Sequence, residues 1–379
     1  MKIAVNTRLL LKNRLEGIGW YTFETLRRIV KAHPEHSFYF LFDRPYDSSF
    51  VFEENVTPVV LSPQARHPIL FMMWFDISVN RFLRKNKIDI FLSPDGYLSL
   101  RTKTPSLAVI HDLNFEHYPK DLPWVDRKYY QYFFPRFAHK ARRIATVSEY
   151  SKRDISKQYN VPLEKIDVTL NGMNNKFSTI DEPEKVKIRA KFSDSKPFFL
   201  FVGALHPRKN LTNMFLAFDK FKDGKKSDVK FVIVGEKKWW TKSIANVYEN
   251  MKFKDEVIFL GRRSAEELCQ LMASSLALVY VSYFEGFGIP ILEAFACGTA
   301  VITSNVTSMP EVAGDAAILV DPFSVDEIAD AMEQVSSDED FRNNLIEKAN
   351  IRKDKFSWDV TANQLWKSVE KLINEISEK

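Results

Sequence analysis

Two glycines and a proline lie close together in the segment VSYFEGFGIPILEAFACGTAVITS, residues 281–304. An apolar, strand-like run ends near the start of this segment. Gly286 and Gly288 then allow a tight loop whose backbone can approach a ligand closely. Pro290 suits the first turn of a helix, because its missing N–H would have no partner there. The amides and the positive dipole end of such a helix favour a bound diphosphate.

Two carboxylates flank this phosphate site. They are poor phosphate ligands, but they accept hydrogen bonds from hydroxyl groups on either side of a phosphate. We therefore expect Glu285 to bind hydroxyls of a sugar and Glu293 to bind both hydroxyls of a ribose. We expect the backbone amides between them to bind the phosphates and the edge of the sugar. These amides belong to Gly286, Phe287, Gly288 and Ile289. The alternative is a glycine-rich loop with surface acids.

Cations that can neutralise a diphosphate follow another apolar run, KPFFLFVG, residues 196–203. The run ends at Gly203, which we also expect to lie in the donor-binding site, and the sequence continues through ALHP to Arg208 and Lys209. We expect both side chains to bind the donor diphosphate and to stabilise its charge as it leaves. The alternative is that they are two surface charges at the start of a helix.

Two glycines and a histidine are the candidates in the first half of the chain. Gly17 and Gly19 lie between the first apolar run and a helical stretch to about Val30, without the full dinucleotide fingerprint. His111 ends the run 106–111, and ligands of parallel sheets bind at the carboxyl ends of strands. We expect it to position hydroxyl groups or polarise the site, and not to act as a nucleophile. Structural turn glycines and a structural polar strand end are the alternatives.

At this point the sequence resembles a known family. Glu285 and Glu293 have the E-x7-E spacing of the retaining GT-B glycosyltransferases, and EGFGIPILEAFACGTAVI resembles the core of glycosyltransferase family 4. Further similar segments are GIGWYT (17–22), HDL (111–113), TVSEYSKRDI (146–155), VGALHPRKNL (202–211) and SMPEVAGDAAILVDP (308–322). The resemblance covers most of the chain and implies sugar transfer from a nucleotide sugar with retention at the anomeric carbon.

The resemblance also implies roles for individual residues. The histidine of relatives that matches His111 contacts the transferred sugar near the reaction centre, and the Gly17–Gly19 loop would reach under the donor phosphate and beside the acceptor. Lys209 is the phosphate ligand that the resemblance supports most directly. Many relatives carry an arginine after the strand-ending glycine, where this chain has Ala204, and we expect Arg208 to take that role.

A metal-independent reaction without a cofactor is expected. No Cys/His spacing suggests zinc, and neither a P-loop nor a G-x-S-x-G motif occurs. The acidic tract Asp338-Glu339-Asp340 lies at a predicted helix start, where acids suit the helix dipole. Protein cations and amides would therefore replace the divalent ion of other transferases.

Short apolar runs alternate with amphipathic stretches along the chain, which is typical of parallel sheets covered by helices. The predicted strands are residues 2–6, 37–42, 88–93, 106–111, 142–148, 165–170, 196–203, 229–235, 256–261, 276–282, 299–304 and 316–320. We predict an α/β protein of the GT-B class, with two Rossmann-like domains whose parallel sheets face across an interdomain cleft. Residues 1–180 would bind the acceptor, residues 181–356 would bind the nucleotide sugar, and a helix at 357–379 would pack back on the first domain.

Composition is that of a soluble globular protein, with 45% apolar and 27% charged residues among 379. Residues 1–180 carry 27 Lys and Arg against 18 Asp and Glu, a formal charge of +9, whereas residues 181–379 carry −4. The first half is therefore expected to bind an anionic partner, such as phosphate or a membrane surface. No basic-aromatic motif for nucleic acid accompanies this charge, so no nucleic acid partner is expected. The amino terminus lacks a signal-peptide pattern, which predicts a cytoplasmic protein.

The segment HPILFMMWFDISVNRFLRKNK, residues 67–87, combines apolar and aromatic residues with four cations. One interpretation is an amphipathic helix on anionic lipid or beside a lipid-linked acceptor, at the inner face of the plasma membrane. The other interpretation is a core helix with a basic, exposed end.

The predicted function is that of a retaining hexosyltransferase in cell-surface polysaccharide synthesis. The PRKNL and SMPEVAGDAA segments resemble those of polysaccharide and O-antigen mannosyltransferases, which implies GDP-mannose as the donor and a glycan or lipid-linked saccharide as the acceptor. No side chain that reads the base was identified, so UDP-linked glucose, N-acetylglucosamine or galactose are alternative donors. Two competing functions are a sugar-nucleotide 2-epimerase and a non-catalytic sugar-binding protein.

Overall fold

The computed structural model of the chain describes residues 1–224 and 227–378. It divides into two compact units. One consists of residues 1–172 together with those from Ser357 onward, and the other is Met173–Phe356. The chain therefore enters the second unit after Gly172 and returns to the first after Phe356.

Each unit is built on one parallel sheet. The first sheet has seven strands in the order β3-β2-β1-β4-β5-β6-β7, and the second has six in the order β10-β9-β8-β11-β12-β13. The strands are β1 (Lys2–Asn6), β2 (Ser37–Phe42), β3 (Val56–Val60), β4 (Ile90–Ser93), β5 (Ser106–Val109), β6 (Arg143–Thr146), β7 (Ile166–Val168), β8 (Phe198–Val202), β9 (Lys230–Val234), β10 (Val257–Gly261), β11 (Ala277–Tyr280), β12 (Ala300–Ser304) and β13 (Ile318–Val320). Central strands such as β8 and β11 are buried along their whole length, as expected where helices cover both faces of a sheet.

Helices connect the strands in both units. They are α1 (Gly17–Ala32), α2 (Pro68–Met73), α3 (Asn80–Lys85), α4 (Asn114–His117), α5 (Trp124–Lys140), α6 (Glu149–Tyr159), α7 (Glu182–Phe192), α8 (Leu211–Gly224), α9 (Lys242–Glu249), α10 (Ala265–Ser274), α11 (Ile289–Ala296), α12 (Met309–Ala313), α13 (Val325–Ser337), α14 (Glu339–Arg352) and α15 (Trp358–Ser377). The first turn of α7 is capped by Asp181, whose side chain accepts a hydrogen bond from the Glu184 N–H.

Strand β3 is absent from the predicted runs. Its sequence, VTPVV, contains Pro58, which cannot donate to a ladder and therefore argues against a central strand. The structure places β3 at the edge of the first sheet, where it pairs with β2. An edge strand tolerates proline, because the missing N–H faces away from the neighbouring strand. The strand was therefore missed although its position agrees with the preference of proline for sheet edges.

The division into units differs from the predicted boundary at residue 180 by a short segment. Residues 173–180 belong to the second unit. Phe177 is buried, and the Ser178 N–H donates to Cys269 Sγ at 3.5 Å while the Ser178 carbonyl accepts from it at 3.4 Å. These contacts hold the segment to α10, and the chain composition gave no sign of them.

The last helix, α15, belongs to the first unit. Ser357 caps its start by accepting from the Val360 N–H, and the Thr361 hydroxyl donates to the Leu170 carbonyl at 2.6 Å. On its inner face Trp366 stacks on His33 with 3.7 Å between the ring centroids. The helix thus covers the first sheet together with α1.

The segment 67–87 forms a helix interrupted by a π-helical turn, Trp74–Val79, between α2 and α3. Trp74, Val79 and Leu83 point into the core of the first unit. On the other side Ile69 is 62% exposed and Ile77 is 53% exposed. The segment is therefore both a core helix and a carrier of exposed apolar side chains. Among the helices that the structure describes, none is long and apolar enough to cross a bilayer.

Candidate functional site

Three loops come together at the carboxyl ends of the neighbouring strands β8, β11 and β12 in the second unit. The β8 loop contains the 3-10 turn Pro207–Lys209, the β11 loop contains Glu285, and the β12 loop contains Ser308. Carboxyl ends of parallel strands are where α/β sheets bind ligands. The hydrogen bonds described below join these loops into one site.

An ion-pair cluster lies at the centre of this site. Oε2 of Glu285 is 2.6 Å from Nη1 of Arg208, and Oε1 of Glu285 forms an ion pair with Nζ of Lys209. Nζ of Lys209 also hydrogen-bonds the hydroxyl of Tyr280. The Arg208 guanidinium further donates to the Phe284 carbonyl at 3.2 Å. Both cations predicted to bind phosphate are thus oriented by the carboxylate predicted to bind sugar.

The environment keeps Glu285 ionised. Burial by itself would raise the pKa of this carboxyl group, but the charges of Arg208 and Lys209 outweigh burial and lower the pKa to about 2. The carboxylate is therefore a permanent hydrogen-bond acceptor at neutral pH. Glu285, Arg208 and Lys209 together have a net charge of +1.

The loop after Glu285 is held in a defined shape. Gly288 has φ +107°, and a Cβ on this residue would lie 2.8 Å from Cε of Met309. A side chain there would be strained both by the backbone and by that contact. Ser308 donates to the carbonyls of Glu285 at 2.9 Å and of Phe287 at 3.1 Å. The loop backbone is therefore fixed before any ligand binds.

This loop presents amides at the start of α11. Within the part of the chain that the structure describes, the N–H groups of Phe287, Gly288 and Ile289 have no acceptor. Pro290 follows and has no N–H to satisfy. Consecutive unpaired amides at a helix start form an anion-binding cradle.

Glu293 lies one turn into α11 and is partly buried. Burial, and secondly the neighbouring thiol of Cys269, raise the pKa of its carboxyl group to about 7. Among the described residues the Glu293 side chain has no ion-pair or hydrogen-bond partner. Its hydrogen-bonding capacity is therefore unused, in contrast to that of Glu285.

Sequence reasoning missed three polar residues of this site. Tyr280 contacts Lys209, Ser308 holds the loop, and Asn210 donates to the carbonyls of Val281 at 3.0 Å and Pro322 at 2.6 Å. Tyr280 lies inside an apolar strand and gave no signal. Asn210 and Ser308 lie in the quoted segments VGALHPRKNL and SMPEVAGDAAILVDP, but only the structure shows what they bind. Gly203, in turn, packs close to the Lys209 stem.

In the first unit, His111 follows β5, which ends at Val109 and not at residue 111 as predicted. Nε2 of His111 lies 2.8 Å from the Pro94 carbonyl oxygen. A carbonyl only accepts, so Nε2 carries the proton. Burial lowers the pKa of the imidazole, which is therefore neutral at pH 7 with Nδ1 as an acceptor. Such a ring can accept a bond from a hydroxyl group, as the predicted positioning role requires.

The two glycines of the first unit lie in the first turn of α1 and not in a loop. A Cβ on Gly19 would lie 3.0 Å from the Leu9 carbonyl oxygen and 3.2 Å from the Leu15 side chain. Packing therefore explains why position 19 is a glycine. A Cβ on Gly17 would meet no atom within 4 Å, so packing does not explain Gly17.

The acidic tract at the start of α14 has a capping role. The Asp338 carboxylate accepts from the Phe341 N–H at 2.8 Å, and Glu339 and Asp340 lie in the first turn. Over residues 1–224 and 227–378, no three His, Cys, Asp or Glu side chains are grouped so that they could hold a metal ion.

Two family models match the chain in succession. The Glycosyltransferase Family 4 model matches residues 15–177, and the model of glycosyl transferases group 1 matches residues 183–352, which contains Glu285 and Glu293. The chain is a group 1 glycosyltransferase with a family 4 amino-terminal domain. This confirms the resemblance to glycosyltransferase family 4 that the segment EGFGIPILEAFACGTAVI indicated, and with it the assignment as an enzyme.

Curated relatives of this glycosyltransferase include two from enteric bacteria. The chain is 27% identical to O-antigen chain mannosyltransferase B of Escherichia coli, covering 95% of this chain and 97% of the relative. It is 33% identical to the O-antigen chain mannosyltransferase RfbU of Salmonella typhimurium, over 59% of this chain and 58% of the relative.

Solved structures show the same fold. The glycosyltransferase superposes on sucrose-phosphate synthase from Thermosynechococcus elongatus with a TM-score of 0.77 and 17% identity, covering 99% of both chains. It superposes on HepE from Anabaena, solved with UDP and glucose, with a TM-score of 0.75 and 17% identity over 98% of this chain and 99% of the other. The likeness confirms the predicted GT-B class with its two parallel-sheet α/β domains.

Proposed function

We propose that the second unit of this glycosyltransferase binds a nucleotide sugar and that the enzyme transfers its sugar with retention to a glycan or lipid-linked saccharide. The observation that carries the donor site is the ionised Glu285 between Arg208 and Lys209, beside the unpaired amides at the start of α11. Positive charge and amides suit a diphosphate, and a fixed carboxylate suits sugar hydroxyls.

Each group then has a role in the donor complex. Lys209 and Arg208 neutralise the diphosphate, and the amides of Phe287, Gly288 and Ile289 bind its oxygens and the sugar edge. Glu285 accepts hydrogen bonds from sugar hydroxyls, because its low pKa keeps it ionised. The carboxyl group of Glu293 accepts hydrogen bonds from both hydroxyls of the ribose. In the first unit, Nδ1 of the neutral His111 accepts a hydrogen bond from a hydroxyl of the transferred sugar.

The proposed transfer proceeds on one face of the sugar without a metal ion or a cofactor. The bond between the anomeric carbon and the phosphate oxygen breaks, and the acceptor oxygen bonds the same face of that carbon. The acceptor's proton passes to the leaving phosphate oxygen, so no protein nucleophile is required. Arg208 and Lys209 stabilise the negative charge on the phosphate during this step.

GDP-mannose is the proposed donor, because the curated relatives named above are O-antigen chain mannosyltransferases. The proposed acceptor is a growing cell-surface polysaccharide, either free or linked to lipid. UDP-linked glucose, N-acetylglucosamine or galactose are the competing donors. A structure of HepE with UDP-glucose shows that this fold also serves UDP-sugars.

Peripheral contact with an anionic membrane is proposed for the helix at 67–87 in the first unit. Ile69, Met72, Met73 and Ile77 are exposed apolar residues of this helix. Its carboxyl-terminal end carries Arg81, Arg84, Lys85 and Lys87. Apolar side chains beside cations are the combination by which amphipathic helices bind anionic lipid. The enzyme would then act at the inner face of the plasma membrane.

A thermal-shift screen of GDP-mannose, UDP-glucose, UDP-N-acetylglucosamine and ADP-glucose tests the donor. A ligand that binds the folded state raises the unfolding temperature. At a ligand concentration of 100 times Kd, the free energy of unfolding rises by about 2.7 kcal/mol. We expect GDP-mannose to give the largest shift and Glu285→Ala to remove it without loss of the circular dichroism spectrum. If GDP-mannose raised the unfolding temperature of Glu285→Ala as much as that of the wild type, the assigned site would be contradicted.

Product analysis then separates transfer from the two competing functions. A transferase consumes GDP-mannose substantially only when a saccharide acceptor is present, and the new linkage keeps the anomeric configuration of the donor by NMR. Conversion of the donor without any acceptor would indicate an epimerase. Binding without conversion, over a range of saccharide acceptors, would indicate a sugar-binding protein.

A further inference from the structure

A cavity of about 350 Å³ lies in the first unit between the loops that follow β1 and β2. Its lining includes Lys12, Arg14, Arg44, Pro45, Tyr46 and Asp47. The volume is in the range of small-molecule sites, about 300–1,000 Å³. The two loops lie at the carboxyl ends of adjacent parallel strands, which is the ligand-binding edge of such a sheet.

The arginine in this cavity is held in place by a buried carboxylate. Nε and Nη2 of Arg44 donate to the two oxygens of Asp43 at 2.7 and 2.8 Å. The Asp43 side chain is fully buried and also accepts from the Ala65 N–H at 2.9 Å. This bidentate pair fixes the guanidinium plane, while Arg44 itself stays 28% exposed and its remaining N–H groups have no acceptor among the described residues.

The other charged side chains of the lining add positive charge. Lys12 pairs with Asp47 at 2.6 Å, and this ion pair together with bonds from Ser49 lowers the pKa of Asp47 to about 2. Arg14 is exposed and has no ion-pair or hydrogen-bond partner for its side chain within the described residues. With Asp43, the partner of Arg44, the three cations face two acids, so the site has a net charge of +1 and Arg14 is the cation outside these ion pairs.

An aromatic surface adjoins these cations. The Tyr46 ring stacks on Phe42 with centroids 4.9 Å apart and is still 39% exposed. Pro45 lies beside it in the lining. A rigid aromatic face beside hydrogen-bonding groups suits the apolar face of a sugar ring. Cations beside such a face suit an anionic substituent on that ring.

We propose that this cavity binds a phosphate-bearing saccharide, and that it is the acceptor subsite of the transferase. The sugar ring packs on Tyr46, and its phosphate binds Arg14 and the outward N–H groups of Arg44. The assignment to the acceptor rests on the proposed function. The phosphate can belong to a free sugar phosphate or to a lipid-linked diphosphate, because both present the same oxygens to the two arginines.

The test is a calorimetric titration of the full chain in saturating GDP, which occupies the phosphate site of the second unit. The probes are mannose 1-phosphate, methyl α-mannoside and mannose linked through a diphosphate to a short isoprenyl chain. We expect mannose 1-phosphate to bind at least about 10-fold more tightly than the uncharged mannoside. A further gain for the isoprenyl diphosphate assigns the lipid-linked source, and equal affinity assigns the free sugar phosphate.

Variants locate the binding. Arg14→Ala should weaken binding of mannose 1-phosphate by about 10-fold, the effect of one charge-assisted hydrogen bond. Arg44→Gln should do the same, and Arg101→Ala removes an exposed arginine outside the cavity as the matched control. Because Arg14 is exposed, its substitution leaves folding intact. Equal affinity for the charged and uncharged probes, or an unchanged affinity in Arg14→Ala, would overturn the proposal.

The titration also separates this proposal from the donor site. GDP binding is measured first, without any sugar phosphate. If GDP does not bind while mannose 1-phosphate binds in an Arg14-dependent manner, the donor assignment fails and the cavity stands. If GDP binds and the mannose 1-phosphate affinity is insensitive to Arg14, the cavity assignment fails alone.

Discussion

Replacing Glu293 by Gln should make the folded enzyme more stable and its donor binding weaker. The carboxyl group is partly buried beside Cys269 and, among the residues described, has no hydrogen-bond partner. Glutamine keeps the shape and the hydrogen-bonding capacity of the side chain but cannot ionise. The variant therefore removes the cost of a buried charge, and it replaces a carboxylate with two acceptor oxygens by an amide with one neutral acceptor oxygen.

The magnitude follows from the pKa. The Glu293 pKa rises from an ordinary 4.5 to about 7, and each pKa unit corresponds to about 1.36 kcal/mol. Below pH 4.5 the group is protonated in both the folded and unfolded states and has no effect. Between the two pKa values the folded state holds a proton that the unfolded state has lost, so stability falls as pH rises. The full loss above pH 7 is about 3 kcal/mol.

Urea unfolding of the wild type and of Glu293→Gln at pH 5 and pH 8 measures this effect. We expect the variant to gain up to about 3 kcal/mol relative to the wild type at pH 8, and much less at pH 5. Circular dichroism and tryptophan fluorescence should both be followed, because the two units can unfold separately. The transition that reports on the second unit should carry the difference.

Donor binding should change in the opposite direction. A hydrogen bond to a charged group contributes about 1.5–3 kcal/mol and one to a neutral group about 0.5–1.5 kcal/mol, so the variant should lose about 1 kcal/mol or more for each ribose hydroxyl. GDP affinity at pH 8 should therefore fall at least about 10-fold in Glu293→Gln. A pH-independent stability difference would refute the assigned ionisation, and unchanged GDP affinity would refute the ribose role.

Three further predictions concern other parts of the molecule. Gly19→Ala should lower the free energy of unfolding by about 1–3 kcal/mol because its methyl group meets the neighbouring loop, whereas Gly17→Ala should stay within about 0.5 kcal/mol of the wild type in urea unfolding. Chelation with EDTA should leave transfer unchanged, and a loss that manganese restores would contradict the metal-independent reaction. Ile69→Ser combined with Met72→Ser should reduce sedimentation with anionic vesicles at low salt; Val186→Ser, an exposed change in the second unit, is the control, and equal sedimentation of both would count against this surface.

The fold was predictable wherever local pattern decides the structure. Apolar runs located the central strands, because parallel strands buried on both faces leave little room for polar residues. Strand β3 was missed because Pro58 breaks that pattern at an edge where its missing N–H is harmless. Residues 173–180, predicted to end the first domain, lie in the second compact unit, and their contacts with Cys269 join positions far apart in the sequence.

The candidate site was predictable as a set of residues but not as an arrangement. Glu285, Arg208 and Lys209 were selected because each follows a predicted strand. The topology of a parallel sheet brings such positions to the same edge of the sheet. The ion pairs among them depend on side-chain geometry across 76 residues of separation. The contact of Tyr280 with Lys209 was hidden for the same reason, because a tyrosine in a buried strand resembles any other core residue.

The proton position on His111 shows a similar limit. The sequence indicated that this histidine ends a strand, which is correct to within two residues. The tautomer depends on the Pro94 carbonyl, 17 residues earlier in the chain. Only the register between β4 and β5 brings these two groups together, and register is set by packing of the whole sheet.

The central claim is that a nucleotide sugar binds the second unit through its cation and carboxylate cluster. Calorimetric titration of GDP-mannose into the wild type, Lys209→Ala and Lys220→Ala tests it most directly. Lys220 is an exposed lysine of α8 that pairs with Asp326 and lies outside the site. We predict saturable binding to the wild type and to Lys220→Ala, and an affinity at least about 10-fold lower in Lys209→Ala. Equal binding to all three proteins would contradict the account.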